Sequence, residues 1–202
     1  MKYYSISGTD NNSEFYYLNK EVLKYCSKCG SIINRNEAID ASISTFKIKK
    51  KNYNLSSCYD GPLIASEKFV NIYVKHKLNG LKFVRLPKSE GFYLVQYLFE
   101  LPYDYLYNPD IYLNKQCDQC NQWKEVSVVR PIKIMDQCEK VMRESTFYRT
   151  DLECGEKIMR SPLLLAAEPI PQIFKEEEVK DVYFEAAGRD FIIGNLKSNI
   201  FR

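Results

Sequence analysis

The chain has 202 residues, a formal net charge of +3 and 45 % apolar residues, which is enough for one large domain or two small ones. It contains no apolar run of 18 residues, so no membrane-spanning helix is predicted. The N-terminus lacks the apolar core of a signal peptide, and an odd count of seven cysteines argues against a disulfide framework. We therefore expect a protein of the reducing cytoplasm.

Charge is distributed unevenly along the chain. Residues 1–101 carry 15 Lys+Arg against 9 Asp+Glu, whereas residues 102–202 carry 14 against 17. Four lysines of the first half lie between Lys47 and Lys51. This short run indicates either a solvated turn, which the modest net charge favours, or a contact with nucleic acid.

The first half predicts strands around one clear helix. One strand is predicted within residues 1–24. Three more are predicted at Ala41 to Lys49, Leu81 to Leu86 and Phe92 to Leu101. The stretch from Asn52 to Gly61 is rich in turn residues and predicts a loop. Ser66 can cap the helix that follows, whose apolar residues recur at 3.6-residue spacing and which ends at Asn79-Gly80.

The second half predicts shorter elements. The predicted strands are Val126 to Val128, Ile132 to Ile134, Val182 to Ala186 and Phe191 to Ile193, and the predicted helices are Asp136 to Arg143, Leu163 to Ala167 and Ile173 to Val179. The helix from Leu163 follows Ser161 as a cap and Pro162 at the first helical position.

Two segments share one order of elements. Ser66 to Phe83 and Ser161 to Phe184 each run from a serine cap through a helix to a strand that ends in Phe. Either this is chance or it is an internal duplication. The predicted fold class is α+β, with two similar strand–helix–strand lobes and mixed sheets in a single domain over 1–202. The possible sub-lobes are 1–102 and 103–202.

Two Cys-x-x-Cys pairs carry the clearest chemical signal, Cys26 with Cys29 and Cys117 with Cys120. This spacing lets both thiolates of a pair point at one ion, as in the knuckles of structural zinc sites. The residue after the second cysteine often needs a positive φ, which Gly adopts freely and Asn tolerates; here these residues are Gly30 and Asn121.

Together the pairs predict one tetrahedral, all-thiolate Zn²⁺ site. Eighty-seven residues separate Cys29 from Cys117, so the metal would join two distant parts of a larger fold rather than form a compact ribbon. Four cysteine ligands leave no open position for water, so the zinc would be structural. A redox dithiol is the alternative, but neither pair begins a helix in a βαβ setting.

Other chemistry has little support in the sequence. Cys58, Cys138 and Cys154 are scattered, and we interpret them as ordinary buried or idle thiols. His76 is the only histidine, which nearly excludes histidine-based triads. The sequence contains neither a P-loop nor a dinucleotide-binding fingerprint.

The two knuckles, together with the segment Leu63-Ile64-Ala65-Ser66 and the segment Asn79-Gly80-Leu81-Lys82-Phe83, resemble the bacterial double-CxxCG-motif proteins. These proteins are associated with immunity to polymorphic and contact-delivered toxins. The sequence departs from the family pattern at Asn121, where the family usually has Gly, and at Ser27, where a proline is common.

This resemblance implies a protein without enzymatic activity that binds a cognate toxin and blocks it. Such inhibition needs a rigid surface with a few buried aromatic anchors. The candidate partner-binding residues form a tyrosine-rich stretch: Tyr97, Tyr103, Tyr105, Tyr107 and Tyr112. Ordinary strand and loop packing is the alternative role for them. A zinc-ribbon protein that binds nucleic acid through Lys47 to Lys51 is the alternative function.

Overall fold

The computed structural model describes residues 2–104, 111–128, 132–156 and 158–187, and it shows a mixed α+β fold dominated by strands. The strands are β1 (Tyr3–Asp10), β2 (Leu55–Ser57), β3 (Leu63–Ser66), β4 (Leu81–Arg85), β5 (Phe92–Tyr97), β6 (Glu100–Leu101), β7 (Tyr112–Gln116), β8 (Trp123–Ser127), β9 (Phe147–Glu156), β10 (Met159–Ala167) and β11 (Val182–Ala187). The helices are α1 (Arg35–Ser42), α2 (Glu67–Lys75), α3 (Asp136–Glu139) and α4 (Ile170–Glu176). The predicted strand Phe191 to Ile193 lies outside the described residues.

All the described strands belong to one sheet of 11 strands. Nine of them follow the order β4-β5-β3-β2-β1-β10-β9-β8-β7, while β11 pairs with β1 and β6 pairs with β9. Strand β1 joins the two halves of the sheet, because it pairs antiparallel with β10 and parallel with β2. The described strands thus form one continuous sheet, and the two-lobe arrangement expected from the sequence is not confirmed.

Apolar side chains are buried on both faces of this sheet. Neighbouring residues of β10 belong to different cores: Leu164 and Ala166 pack in the first, with α2 and α4, whereas Leu165 and Ala167 pack in the second, with Tyr103. A third core lies behind the first knuckle and contains Phe15, Tyr16, Ile32, Ala38 and Leu94. A strand that is buried on both faces has a continuous apolar sequence rather than an alternating one.

Helix α2 begins as its sequence predicts. The Ser66 hydroxyl accepts a hydrogen bond from the backbone N–H of Phe69 at 3.3 Å, and Phe69 and Ile72 turn into the first core. The helix ends at Lys75, before the predicted Asn79-Gly80 stop, and Lys77 already has a φ of 52°.

We expect Ser66→Ala to lower the free energy of unfolding by about 1 kcal/mol, because the first turn of α2 loses its side-chain acceptor. Ser66→Asp restores an acceptor at the cap and should recover most of this loss. Chemical denaturation of the three proteins measures the difference. Equal stabilities of the wild type and the alanine variant would contradict this role of Ser66.

The predicted strand from Ala41 to Lys49 is wrong. Helix α1 extends to Ser42, whose hydroxyl donates to the carbonyl of Ala38 at 2.8 Å, and turns and loop follow. Phe46 and Ile48 are nevertheless buried, because this loop packs into the third core and the N–H of Ile48 donates to the Ser89 hydroxyl at 2.9 Å. The predicted loop from Asn52 to Gly61 contains the short strand β2, which sequence analysis missed.

The predicted helix from Leu163 to Ala167 is also wrong, since these residues form the second half of β10. Tertiary burial between β1 and β9 outweighs the helical preference of Leu and Ala. The register shifts between Pro162 and Leu164, and such an irregularity accommodates a residue that lacks a backbone N–H. Ser161 therefore lies within a strand and caps no helix, although the order strand, helix, strand occurs in both segments, as β3–α2–β4 and as β10–α4–β11.

The structure confirms the type of three further elements: the helices α3 and α4 and the strand β11. Their bounds differ from the prediction, since α3 ends at Glu139 instead of Arg143 and α4 begins at Ile170 instead of Ile173. Within the part of the chain that the structure describes, no helix is long and apolar enough to cross a membrane.

Candidate metal centre

The first cysteine pair lies in a tight turn closed by backbone hydrogen bonds. The N–H of Gly30 donates to the carbonyl of Cys26 at 2.9 Å, and the N–H of Cys26 donates to the carbonyl of Ser31 at 2.8 Å. Gly30 has a φ of 73°. Tyr25 and Ile32 form a β-bridge at the base, so the first knuckle is the tip of a small hairpin.

The second pair repeats this geometry at the tip of the β7–β8 hairpin. The N–H of Asn121 donates to the carbonyl of Cys117 at 2.8 Å, and the N–H of Cys117 donates to the carbonyl of Gln122 at 2.9 Å. Asn121 has a φ of 57°, so the predicted positive φ is confirmed in both knuckles. One conformation has therefore formed twice, from different sequences.

The two knuckles converge, as the sequence predicts. The four Sγ atoms of Cys26, Cys29, Cys117 and Cys120 all lie within 4.8 Å of one another. Matching cysteines face each other, with Sγ–Sγ distances of 3.8 Å between Cys26 and Cys117 and 3.6 Å between Cys29 and Cys120. Four sulfurs about 2.3 Å from one ion lie about 3.8 Å apart in a tetrahedron, whereas a disulfide needs about 2.05 Å. The cluster thus has the dimensions of a metal site and not of a disulfide pair.

Residues between the cysteines hold the knuckles together, and sequence analysis missed them. The ammonium group of Lys28 lies 2.6 Å from a carboxylate oxygen of Asp118, and the Ser27 hydroxyl lies 3.2 Å from the side-chain oxygen of Gln119. In addition, the Gln122 side chain donates to the carbonyl of Ile32 at 3.0 Å. The sequence does show that these residues lie between the cysteines of each Cys-x-x-Cys pair. That position predicts contacts between them only once the two pairs are known to face each other.

The thiols differ in their surroundings. Hydrogen bonds from the side chain and backbone of Ser31 lower the pKa of Cys29 to about 6, while desolvation raises the pKa of Cys120 to about 12. Cys26 and Cys117 are buried, whereas Cys29 is exposed. One face of the cluster is therefore open to solvent, so an ion can reach it.

The remaining cysteines lie elsewhere. Cys58 and Cys138 are buried in the third and second cores, and burial raises the pKa of each thiol. Cys154 is half-buried on β9. Raised pKa values make Cys58 and Cys138 poor nucleophiles, in agreement with their interpretation as packing residues.

The tyrosines proposed for partner binding lie in different environments. Tyr112 exposes 54 % of its surface at the start of β7, Tyr97 is half-buried at the end of β5, and Tyr103 exposes 1 % within the second core. Tyr105 and Tyr107 lie outside the described residues. Of Tyr97, Tyr103 and Tyr112, Tyr112 is the most exposed to solvent.

Comparison of the chain with protein-family models and with curated protein sequences gave no match.

Proposed function

We propose that this protein is an immunity protein: a non-enzymatic binding protein that neutralises a cognate bacterial toxin, with a structural Zn²⁺ at the four cysteines. The observation that carries the proposal is the convergence of two knuckles into one four-thiol cluster. Thiolates are soft ligands, and a tetrahedral S₄ set is typical of zinc or iron. With all four positions filled by sulfur, the ion has no site for substrate or water, which supports a structural role.

The cluster would also fix the relative positions of two hairpins that carry exposed apolar side chains. Tyr25 and Ile33 flank the first knuckle and expose 47 % and 51 % of their surfaces, and Tyr112 belongs to the hairpin of the second. Anchors that are held rigidly lose little conformational entropy on binding, so they contribute more affinity. We propose that the toxin docks on these hairpins.

The test uses the protein encoded next to this chain as the toxin, expressed in cells with and without it. We expect protection of the cells and a stoichiometric complex that blocks the toxin's activity. Tyr25→Ala and Tyr112→Ala should each weaken the complex about tenfold or more if their rings are buried by the partner. Tyr183→Ala is the matched control, because Tyr183 is 57 % exposed on β11 and belongs to neither hairpin. Absence of both binding and protection would contradict the proposal.

A nucleic-acid-binding protein is the second candidate, and the four lysines from Lys47 to Lys51 favour it. All four are exposed, and none forms an ion pair with a described carboxylate. This function predicts affinity for RNA or DNA that falls steeply with salt and is lost in a Lys49→Gln, Lys50→Gln, Lys51→Gln variant. No binding at low salt would exclude it.

A further inference from the structure

A cavity of about 390 Å³ lies between α1 and strands β5, β9 and β10. Three arginines line it: Arg35 of α1, Arg149 of β9 and Arg160 of β10. The loop before β3 can approach the wall closely because Gly61 has no side chain; a Cβ there would lie 2.0 Å from the carbonyl oxygen of Arg160. The fold thus builds a defined space around charged groups that are distant in sequence.

Arg160 is a buried cation that forms no ion pair with the described carboxylates, although the nearby charge of Glu153 favours its charged form. It exposes 5 % of its surface, and its Nη2 donates to the carbonyl of Trp123. No described carboxylate lies within ion-pair distance of it, and its Nε is buried without an acceptor. Burial, followed by the positive charge of Arg35, lowers the pKa of Arg160. A buried donor that lacks an acceptor destabilises a fold unless water or a ligand satisfies it.

Arg35 lies beside Arg160 and, unlike it, forms an ion pair. Its Nη1 contacts the carboxylate of Glu153 and lies 3.4 Å from the carbonyl oxygen of Arg160. Its Nε is also buried without an acceptor. Two guanidinium groups that line one cavity therefore have unused donors.

The acidic residues of the lining do not satisfy these donors. Asp60 accepts three backbone hydrogen bonds, from the N–H groups of residues 15–17, and Glu153 contacts Nη1 of Arg35 rather than its Nε. Asp40 is exposed. Arg149 pairs with Glu100 at 2.9 Å.

The rest of the lining is largely apolar, with Asn36 and Gln96 as its uncharged polar residues. Ile39, Leu63, Leu94 and Val95 contribute aliphatic surface. Tyr97 adds an aromatic wall, and the guanidinium of Arg149 lies 5.9 Å from the centre of its ring. A ligand that fits such a space has an apolar body and a planar anionic group that matches a guanidinium fork.

We propose that this cavity binds a small organic carboxylate, whose carboxylate group accepts hydrogen bonds from Arg35 and Arg160 while its apolar part contacts Ile39 and Leu94. The site goes beyond the proposed immunity function and does not depend on it.

The test titrates sodium hexanoate into the full-length, ¹⁵N-labelled protein and follows amide chemical shifts. We expect saturable binding with a Kd of about 1 mM, with shifts that map to the cavity. Hexan-1-ol has the same apolar body without the charge and should bind at least about tenfold more weakly. No saturation with hexanoate up to about 50 mM, or equal affinity for the alcohol, would overturn the proposal. Equal affinity for inorganic phosphate would overturn the assignment of an organic carboxylate.

Three variants test the residues. Arg160→Met should weaken hexanoate binding about tenfold or more, because a charge-assisted hydrogen bond is lost. Glu153→Gln should tighten it severalfold, since it removes the negative charge that competes for Arg35. Arg85→Met on β4 is the matched control, because Arg85 is exposed and lies outside the cavity. If Arg160→Met does not fold, Glu153→Gln decides: an affinity equal to or below that of the wild type would contradict the site.

Discussion

We expect Cys120→Ser to abolish the proposed stoichiometric zinc binding and to lower the melting temperature by more than about 10 °C. Serine is a poor ligand for zinc, and a structural zinc contributes folding free energy outright because the unfolded chain has no preformed site. In this chain the effect is large, since the ion would join knuckles separated by 87 residues. The direct contacts between the knuckles include one part-buried hydrogen bond, from Gln122 to the carbonyl of Ile32, and the exposed Lys28–Asp118 ion pair. Exposed ion pairs stabilise by about 0–1 kcal/mol.

The measurement is metal content by mass spectrometry together with thermal unfolding followed by circular dichroism. Cys154→Ser is the matched control, because Cys154 is half-buried on β9 and does not belong to the cluster. It should retain one zinc per chain. A Cys120→Ser protein that keeps both its zinc and its melting temperature would contradict the role of the site.

We expect Asp60→Ala to lower the free energy of unfolding by about 3–5 kcal/mol. Asp60 is fully buried, and its carboxylate accepts hydrogen bonds from the backbone N–H groups of Phe15, Tyr16 and Tyr17 at 2.7–3.0 Å. Each donor left buried without an acceptor costs about 1–3 kcal/mol. Phe15 and Tyr16 also belong to the third core, so loss of this turn disturbs packing behind the first knuckle.

Denaturant unfolding measures this loss. Asp60→Asn keeps one carbonyl acceptor but turns an N–H₂ group toward donors, so we expect an intermediate loss. Asp40→Ala is the control at an exposed carboxylate of the same cavity lining and should change stability by less than about 0.5 kcal/mol. If Asp60→Ala and Asp40→Ala were equally stable, the Asp60 carboxylate would not be the organising acceptor of this turn.

The knuckles and the cap of α2 could be predicted because their physics is local. A Cys-x-x-Cys turn needs a residue that tolerates positive φ directly after it, and Gly30 and Asn121 meet that need. Ser66 precedes an apolar pattern of helical period, so cap and helix support each other. In both cases a few neighbouring residues decide the outcome.

Strand β10 could not be predicted because its surroundings decide its conformation. The run from Leu163 to Ala167 suits a helix by propensity, but in the sheet it is buried on both faces by two different cores. A short apolar run bounded by turn signals cannot be assigned to helix or strand by periodicity alone. The segment from Ala41 to Lys49 was predicted as a strand, but Phe46 and Ile48 belong to a loop and are buried all the same, because the loop packs into the third core.

The arginine-lined cavity left no signal in the sequence. Arg35 follows the first knuckle, while Arg149 and Arg160 lie on adjacent strands more than 100 residues later. Nothing in the spacing of these residues distinguishes them from solvated charges. Only the pairing of β9 with β10 and the position of α1 bring their side chains around one space.

X-ray absorption at the zinc edge on the purified full-length protein tests the central claim most directly, that four sulfurs from two distant hairpins hold a single ion. The expected result is one zinc per chain with four sulfur neighbours at about 2.3 Å and neither nitrogen nor oxygen in the first coordination shell. A protein without bound metal, or a zinc with only two sulfur ligands, would contradict the account.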